Sequence, residues 1–484
     1  MRRPFFTAML IAIVALGLGL RVWSARGGLW VDEAWSAVLV DHARTPLGVF
    51  VAINHDNNHH INSLWMQFCG FGASPFLLRA LSIASGTLTI LVAAAIGARH
   101  SVLHALLAAL LFAISPILVN YGSEARGYAP MLLAAMAMIW RVDCALASPA
   151  GSMRRSRLVL AILAVIGLLS QLTMLFFIVA ITAWVAWTLS RRTSAGVALG
   201  ATIHLLLPTL VASLLGVVMI FGAAAASPTG MQVGDYVRFV PAEWLGAIRM
   251  VAATTLGLSA GGPWVAVGLV ASIVVLVIRA SSQRALLTPF LLIAILAFPL
   301  TFPLLQIPNS GTARYYLLTA VAILLLVADV LAAALARQRT KVVAAIIIVT
   351  LTVACLRQDL AQAALRRGDP GAAITTMMRR SPAGATVMVD HLRPVATLRV
   401  AAASAHYPLT IVSGCPAPRF LHVDLDPRVS VPSAASRCGQ RYGLLVARRA
   451  ALLSGVDWAL YEEAGRSAHD DRHAVAWPAP AAQE

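Results

Sequence analysis

LVLAILAVIGLLSQLTMLFFIVAITAWVAWTLS, Leu158 to Ser190, runs for 33 residues without a charged side chain, closed by Arg157 on one side and Arg191–Arg192 on the other. A helix needs about 20 apolar residues to cross the hydrocarbon layer of a bilayer. The run is too long for one crossing, and Ser170 and Gln171 interrupt it near its middle. It therefore predicts two helices, 158–173 and 174–190, joined by a tight turn. Working outward from it, similar runs recur at 5–23, 76–98, 102–120, 128–147, 196–222, 263–279, 286–306, 315–335 and 342–356. The expected fold is an all-α polytopic membrane bundle of about eleven transmembrane helices.

Composition agrees. Of 484 residues, 59% are hydrophobic and 12% charged, with a mean hydropathy of +0.80, whereas a soluble domain carries about 25% charged residues. The net charge of +17 comes from 36 Arg and one Lys, Lys341, against 20 acids. These basic residues are spread between apolar runs and form no aromatic-interleaved patch, which argues against nucleic acid as a partner. Up to residue 355 there are 22 Lys and Arg and 9 acids. From 356 onward there are 15 Arg and 11 acids. The second part reads as a soluble domain, so the expected division is a membrane domain over 1–356 and a second domain over 357–484.

The loops assign sides. Arg2–Arg3, Arg99, Arg154–Arg155–Arg157, Arg191–Arg192, Arg279–Arg284 and Arg337–Arg339–Lys341 fall on every second junction, and short Lys/Arg-rich loops stay cytoplasmic. The expected topology is a multi-pass protein of the cell (inner) membrane. Its N-terminus is cytoplasmic, its loops 24–75, 121–127, 223–262 and 307–314 are outside, and its tail is extracytoplasmic. Arg2–Arg3, the apolar stretch and Trp23-Ser24-Ala25 also resemble a signal peptide. The length of the run and Arg21 favour an uncleaved span. In the tail, 386–389, 409–412 and 442–446 read as strands and 372–380 and 395–403 as helices, a small α/β domain. Cys415 and Cys438 fit a disulfide and equally two small buried residues. His469, Asp470, Asp471 and His473 fit a solvated end better than a metal site.

Acids are rare before residue 356, so their positions carry information. Asp32, Glu33, Asp41 and Asp56 lie in the first expected outer loop and Glu124 in the second, with Asp235 and Glu243 in the long middle loop. Pumps and ion-coupled transporters place ionisable groups inside the bundle; this chain places them at one surface. Asp32 is positioned to cap a helix running to about His42, with Trp35, Val38 and Leu39 on one face. Ile61, Leu64, Trp65 and Phe68 repeat that pattern, so two interfacial helices are expected in the first outer loop. Between them stands Asn54-His55-Asp56-Asn57-Asn58-His59-His60, whose residue types suit sugar hydroxyls, a divalent ion or a plain polar loop. The second outer loop is Tyr121-Gly122-Ser123-Glu124-Ala125-Arg126-Gly127-Tyr128. Arg79 and Arg314, each at the end of a span, suit an anionic lipid head group, and snorkelling fits both equally well.

At these residues the chain resembles the GT-C glycosyltransferases. The branch is that of protein O-mannosyltransferases (dolichyl-phosphate-mannose-protein mannosyltransferase-like proteins) and lipid A aminoarabinose transferases. The resemblance is carried by Asp32–Glu33 after the first span, by Pro75 with Arg79 at the start of the second, and by Ser115-Pro116 followed by Tyr121 and Glu124-Ala125-Arg126-Gly127-Tyr128. Arg314-Tyr315 matches less specifically. Where the family commonly has a His-Pro-Pro-type stretch, this chain has His55-Asp56-Asn57-Asn58-His59-His60, which leaves acceptor identity and metal use open.

The resemblance implies inverting transfer of a sugar from a polyprenyl-phosphate donor to a lipid, glycan or protein hydroxyl outside the membrane. In that reading Asp32 is the general base, with Glu33 beside it. Arg79, Arg126, Arg314 and Tyr315 hold the donor phosphate. His55, Asp56, His59, His60, Tyr121, Glu124 and Tyr128 contact sugar or acceptor. Membrane lipids surround it, and no cofactor beyond an optional divalent ion is implied. The competing readings are a transporter or lipid flippase, which predicts inverted repeats and intramembrane charge, a scaffold whose tail binds a partner, and another lipid-linked transferase acting on phosphate groups.

Overall fold

The computed structural model describes residues 3–147, 153–262 (229 and 235 apart), 265, 267, 268, 287–389, 393–412, 421–424, 442–447 and 459–463. The expected Cys415–Cys438 pair, Asp235, most of the span expected at 263–279, and the acidic and histidine residues after 464 lie outside them. The chain forms two units. One comprises 1–22, 54–61 and 81–360, and the other 23–53, 62–80 and 361–484. The expected division at 356 is thus refined: two stretches of the first loop cluster with the tail.

The first unit is helical. Its helices are α1 (Arg3–Ser24), most of α5 (Pro75–Ala98), α6 (Val102–Ile114), α7 (Pro116–Tyr121), α8 (Tyr128–Ala147), α9 (Met153–Ser170), α10 (Met174–Ser190), α11 (Ala195–Ala226), α12 (Pro241–Leu256), α13 (Thr288–Leu305), α14 (Leu317–Leu335) and α15 (Lys341–Ala364). Among the described residues seven of these are long and apolar enough to cross a membrane: α1, α5, α8, α11, α13, α14 and α15. The 158–190 run is the expected hairpin of α9 and α10, turning at Gln171–Thr173. The molecule is a multi-pass membrane protein. Its core is a continuous apolar cluster in which α14, α6, α8 and α10 supply residues such as Phe112, Ile139, Trp184 and Val321, all 0% exposed.

Two irregularities follow from proline. The expected span 102–120 is broken at Ser115, because Pro116 has no N–H to continue the ladder. The Phe112 carbonyl, which residue 116 would otherwise bond, accepts instead from Arg21 Nη2 at 3.1 Å. Ala113 and Gly17 carbonyls accept from Arg21 Nη1 at 3.2 and 2.9 Å. A buried guanidinium in α1 thereby caps the C-terminal end of α6. In α13, a π-turn at Ile293–Ala297 immediately precedes Phe298-Pro299. Within what the sequence reads as loop 223–262 lies α12, whose Ala247 and Val251 join the apolar core.

The second unit holds α2 (Val31–Ala43), α3 (Pro46–Val51), most of α4 (His60–Cys69), the first turns of α5, α16 (Pro370–Arg380), α17 (Arg393–Ser404) and a five-stranded mixed sheet. The strands are β1 (Ala385–Val389), β2 (Leu409–Val412), β3 (Leu421–Asp424), β4 (Tyr442–Ala447) and β5 (Ala459–Glu463), in the order β2-β1-β3-β5-β4. β1 pairs in parallel with β2 and β3, and β5 is antiparallel to β3 and β4. This is the small α/β domain read in the tail. Ile374, Met377, Val387 and Leu398 form its core, and α17 packs on α2.

Candidate active site

Site residues fall into two groups, one in each unit. In the second unit, α2 begins at Val31, so Trp30 rather than Asp32 is the capping residue and Asp32 sits in the first turn. The expectation that Asp32 caps is corrected by Glu33, whose carboxylate reaches back to accept from the Trp30 N–H at 3.1 Å. Asp32 itself is partly exposed, and its carbonyl accepts from the Ser36 hydroxyl at 2.9 Å.

Glu33 is also bound by Arg79. Arg79 Nε donates to Glu33 Oε1 at 2.9 Å and Nη2 to Oε2 at 2.5 Å, with both side chains 0% exposed. The other three donors are taken too. Nη1 bonds the carbonyls of Ala25 (2.8 Å) and Gly27 (2.9 Å), and Nη2 that of Gly28 (2.8 Å). A guanidinium has five N–H donors, and all five are used. Arg79, expected at the donor phosphate, and Glu33, expected beside the base, thus form a buried bidentate pair at the start of α2. Gly27 and Gly28 make room for it. A Cβ on Gly27, where φ is +95°, would fall 2.0 Å from the Arg366 carbonyl, and one on Gly28 2.7 Å from Pro370.

In the first unit, the 54–60 run and the 121–128 loop meet as a single cluster. Asp56 N–H donates to the Gln232 carbonyl (2.9 Å) and Gln232 N–H to the Asn54 carbonyl (2.7 Å), a short parallel bridge. Beside it His55 pairs with Asp56 at 2.8 Å. Burial raises the Asp56 carboxyl pKa, but the His55 hydrogen bond and charge, the Gly234 backbone and the Arg314 charge together hold it below its ordinary value.

Arg126 is the centre of the cluster. Its Nη2 donates to Asn57 Oδ1 at 2.6 Å and its Nε to His59 Nε2 at 3.2 Å. The other ring nitrogen of His59 lies 3.1 Å from the Ser170 carbonyl. A carbonyl can only accept and a guanidinium only donate, so the imidazole is neutral with its proton on Nδ1. Burial first, then the Arg126 charge, drives the His59 pKa well below the usual histidine range. Burial also pushes His60 down, to about 4.

The 121–128 loop is equally fixed. Asn120 Nδ2 donates to Glu124 Oε1 at 3.1 Å, Ser82 Oγ to the Arg126 carbonyl at 2.9 Å, and Arg126 lies 5.1 Å from the centre of the Tyr128 ring. Tyr128 packs against His59 and Tyr121 with ring centres 5.4 and 4.9 Å apart. Gly127 is required here. A Cβ would sit 1.7 Å from the Ser170 carbonyl, so only glycine lets the loop approach the α9–α10 turn. Arg314 stands over the Tyr315 ring at 5.8 Å and acts electrostatically on Asp56, His59 and Tyr121.

Sequence reading missed Asn57, Ser170, Gln232 and Tyr316, whose hydroxyl donates to the Ser310 carbonyl at 2.8 Å. Asn57 lay inside the quoted polar run, and its amide was the available signal. Ser170 and Gln232 act through backbone groups, which leave no side-chain signature. As a test for a divalent ion, both His59 nitrogens are engaged. Among the described residues, no three His, Cys, Asp or Glu side chains gather to hold a metal.

No family model matches the sequence, and no curated protein matches it. Solved structures do match in fold. ArnT from Cupriavidus metallidurans in the apo state superposes with a TM-score of 0.59 at 14% identity, over 94% of this chain and 98% of that one. The same enzyme bound to undecaprenyl phosphate gives 0.55 at 11% identity, over 95% and 98%. The Archaeoglobus fulgidus oligosaccharyltransferase in complex with zinc and sulfate gives 0.52 at 12% identity, over 94% and 73%. The chain therefore shares its fold with ArnT from Cupriavidus metallidurans and with the Archaeoglobus fulgidus oligosaccharyltransferase.

Proposed function

We propose that the protein transfers a sugar from a polyprenyl-phosphate donor to an acceptor hydroxyl, with inversion, on the outer side of the cell membrane. The observation that carries the reading is Arg126, 3% exposed and held by His59 and Asn57 against the Tyr128 ring. It occurs in a chain with the fold of an enzyme solved with undecaprenyl phosphate. A cation fixed before substrate arrives stabilises developing negative charge without reorganising.

In this mechanism the acceptor oxygen attacks the anomeric carbon while Asp32 takes its proton. The bond from that carbon to the phosphate oxygen breaks, and the lipid phosphate leaves as an anion. Arg126 stabilises that anion, with Arg314 and Tyr315 beside it. The leaving phosphate is weakly basic and needs charge rather than a proton. Glu33 and Arg79 act through Asp32 by fixing the first turn of α2. His55, Asp56, His60, Tyr121, Glu124 and Tyr128 provide the polar and aromatic surface for the sugar and acceptor, and His59 positions Arg126.

The test is Asp32→Asn in proteoliposomes supplied with defined polyprenyl-phosphate sugars, scored by release of polyprenyl phosphate. A positioned base contributes about 10²–10⁴-fold, so turnover should fall by that factor with insertion and thermal stability unchanged. Full turnover would eliminate the base assignment. A wild-type protein that moves lipid across the bilayer without releasing polyprenyl phosphate would favour a flippase instead.

A further inference from the structure

A cavity of about 190 Å³ lies where the last turn of α2, the end of α4 and the first turn of α5 converge, and Asp32 is not among its lining residues. Its apolar floor includes Val40 and Leu78, 5% and 2% exposed. Three polar side chains face it. Asp41 and Arg44, one helical turn apart, are both exposed and form no ion pair with each other. Gln67 brings an amide whose oxygen and nitrogen are both shielded from water and hydrogen-bond to nothing. An amide buried in that state is destabilising, and buried polar atoms are nearly always satisfied. A ligand with both a donor and an acceptor would satisfy it.

The position of the cavity says what kind of ligand. Leu78 belongs to the first turn of α5, a helix of 24 residues apolar enough to span a bilayer, so the cavity sits at head-group depth. The neighbouring surface is apolar and open. Phe68 is 82% exposed, Phe76 50%, and Phe71, which lines the cavity itself, 43%. The Trp65 indole N–H donates to the Leu77 carbonyl at 3.0 Å and ties α4 to the start of α5, as interfacial tryptophans do. Apolar side chains open to acyl tails, beside one cation, one anion and one neutral amide, match a zwitterionic lipid.

We propose that this cavity binds the head group of a phospholipid carrying a primary ammonium, a phosphoethanolamine lipid. Arg44 takes the phosphate through its fork of donors, Asp41 takes the ammonium, and Gln67 bridges to the phosphate or ester oxygens. A net-anionic head group would set its surplus negative charge against Asp41 and offer it no ammonium of matching charge to offset that. A quaternary ammonium has no N–H to give it. The proposal is independent of the transferase reading.

The experiment is native mass spectrometry of the purified full-length protein in detergent, titrated with phosphatidylethanolamine, phosphatidylglycerol and phosphatidylcholine of identical chains, and with free phosphoethanolamine. The expected result is about tenfold tighter retention of phosphatidylethanolamine, or about 1.4 kcal/mol. Asp41→Asn and Arg44→Gln should each abolish the preference, and free phosphoethanolamine should bind far more weakly. Gln67→Met, which keeps the volume and removes the amide, should reduce the preference several-fold. Equal retention of the three lipids, or unchanged selectivity in both charge variants, would overturn the proposal. Equally tight binding of the free head group would overturn its lipid component.

Discussion

Arg79, in the first turns of α5, and Arg126, in the 121–128 loop, are both buried, yet their surroundings differ. Arg79 meets a carboxylate and three carbonyls, five donors against matched acceptors. Arg126 is steadied by a neutral imidazole and a neutral amide and lies over an aromatic face. The first arrangement satisfies a cation fully in its own fold. The second holds a cation through an imidazole, an amide and an aromatic face. Residue type therefore decides little at a membrane surface. The partners each arginine meets set the two surroundings apart, and changing those partners is the way to separate them.

The largest effect is expected at the Glu33–Arg79 pair. Removing one member of a buried ion pair leaves the other uncompensated and costs about 3–5 kcal/mol. Arg79→Met should therefore lower the thermal midpoint of the detergent-solubilised protein steeply and reduce its yield in membranes. Activity should fall in proportion to folded protein. Glu33→Gln, which keeps one hydrogen-bonding oxygen, should sit between that variant and wild type. An Arg79→Met protein that melts normally but loses donor affinity would return Arg79 to the phosphate and erase the contrast.

Much of the fold was readable because it depends on properties carried by single residues. Charge-free runs ended by arginines give the hairpin of α9 and α10. Short apolar runs bounded by Pro and Gly give β1, β2 and β4 within a residue or two. The break at Pro116 was not foreseen as a break, although the proline alone dictates it. The helix α12 was missed because Pro241–Leu256 lacks the length of a span and lies between polar stretches. At the site, gathering of His59, Arg126, Tyr121 and Tyr128 was legible only as shared membership of outer loops. The fate of Arg79 was not legible at all. It depends on three carbonyls at Ala25, Gly27 and Gly28, and backbone groups leave no trace in residue identity.

A smaller effect is expected at His59, and it tests the other half of the contrast. His59→Gln retains an acceptor for Arg126, while His59→Leu removes it and leaves the Ser170 carbonyl and the Arg126 Nε–H each short of a partner. Leaving such buried groups unsatisfied costs about 1–3 kcal/mol. His59→Leu should lower kcat about ten- to a hundredfold, with a modest loss of stability, and His59→Gln should recover most of it. If the two variants behave alike, the imidazole acts on substrate directly and is not a positioning residue.

The smallest effect is a pH dependence. His60 is buried with a pKa pushed down to about 4 from an ordinary 6.5, and His59 is lowered in the same direction. Above pH 6.5 both folded and unfolded chains hold these rings neutral, so they impose no penalty. As pH falls below 6.5 the unfolded chain takes up protons that the folded chain refuses, and stability decreases until the folded pKa values are reached. The thermal midpoint should therefore decline between pH 6.5 and about 4, beyond what carboxylate titration produces. His60→Gln should flatten part of that slope. A His60→Gln protein with the wild-type slope would place the titration elsewhere, with His59 the next candidate. His59 is the ring that holds Arg126, so in that case acid would act on the site and the fold together.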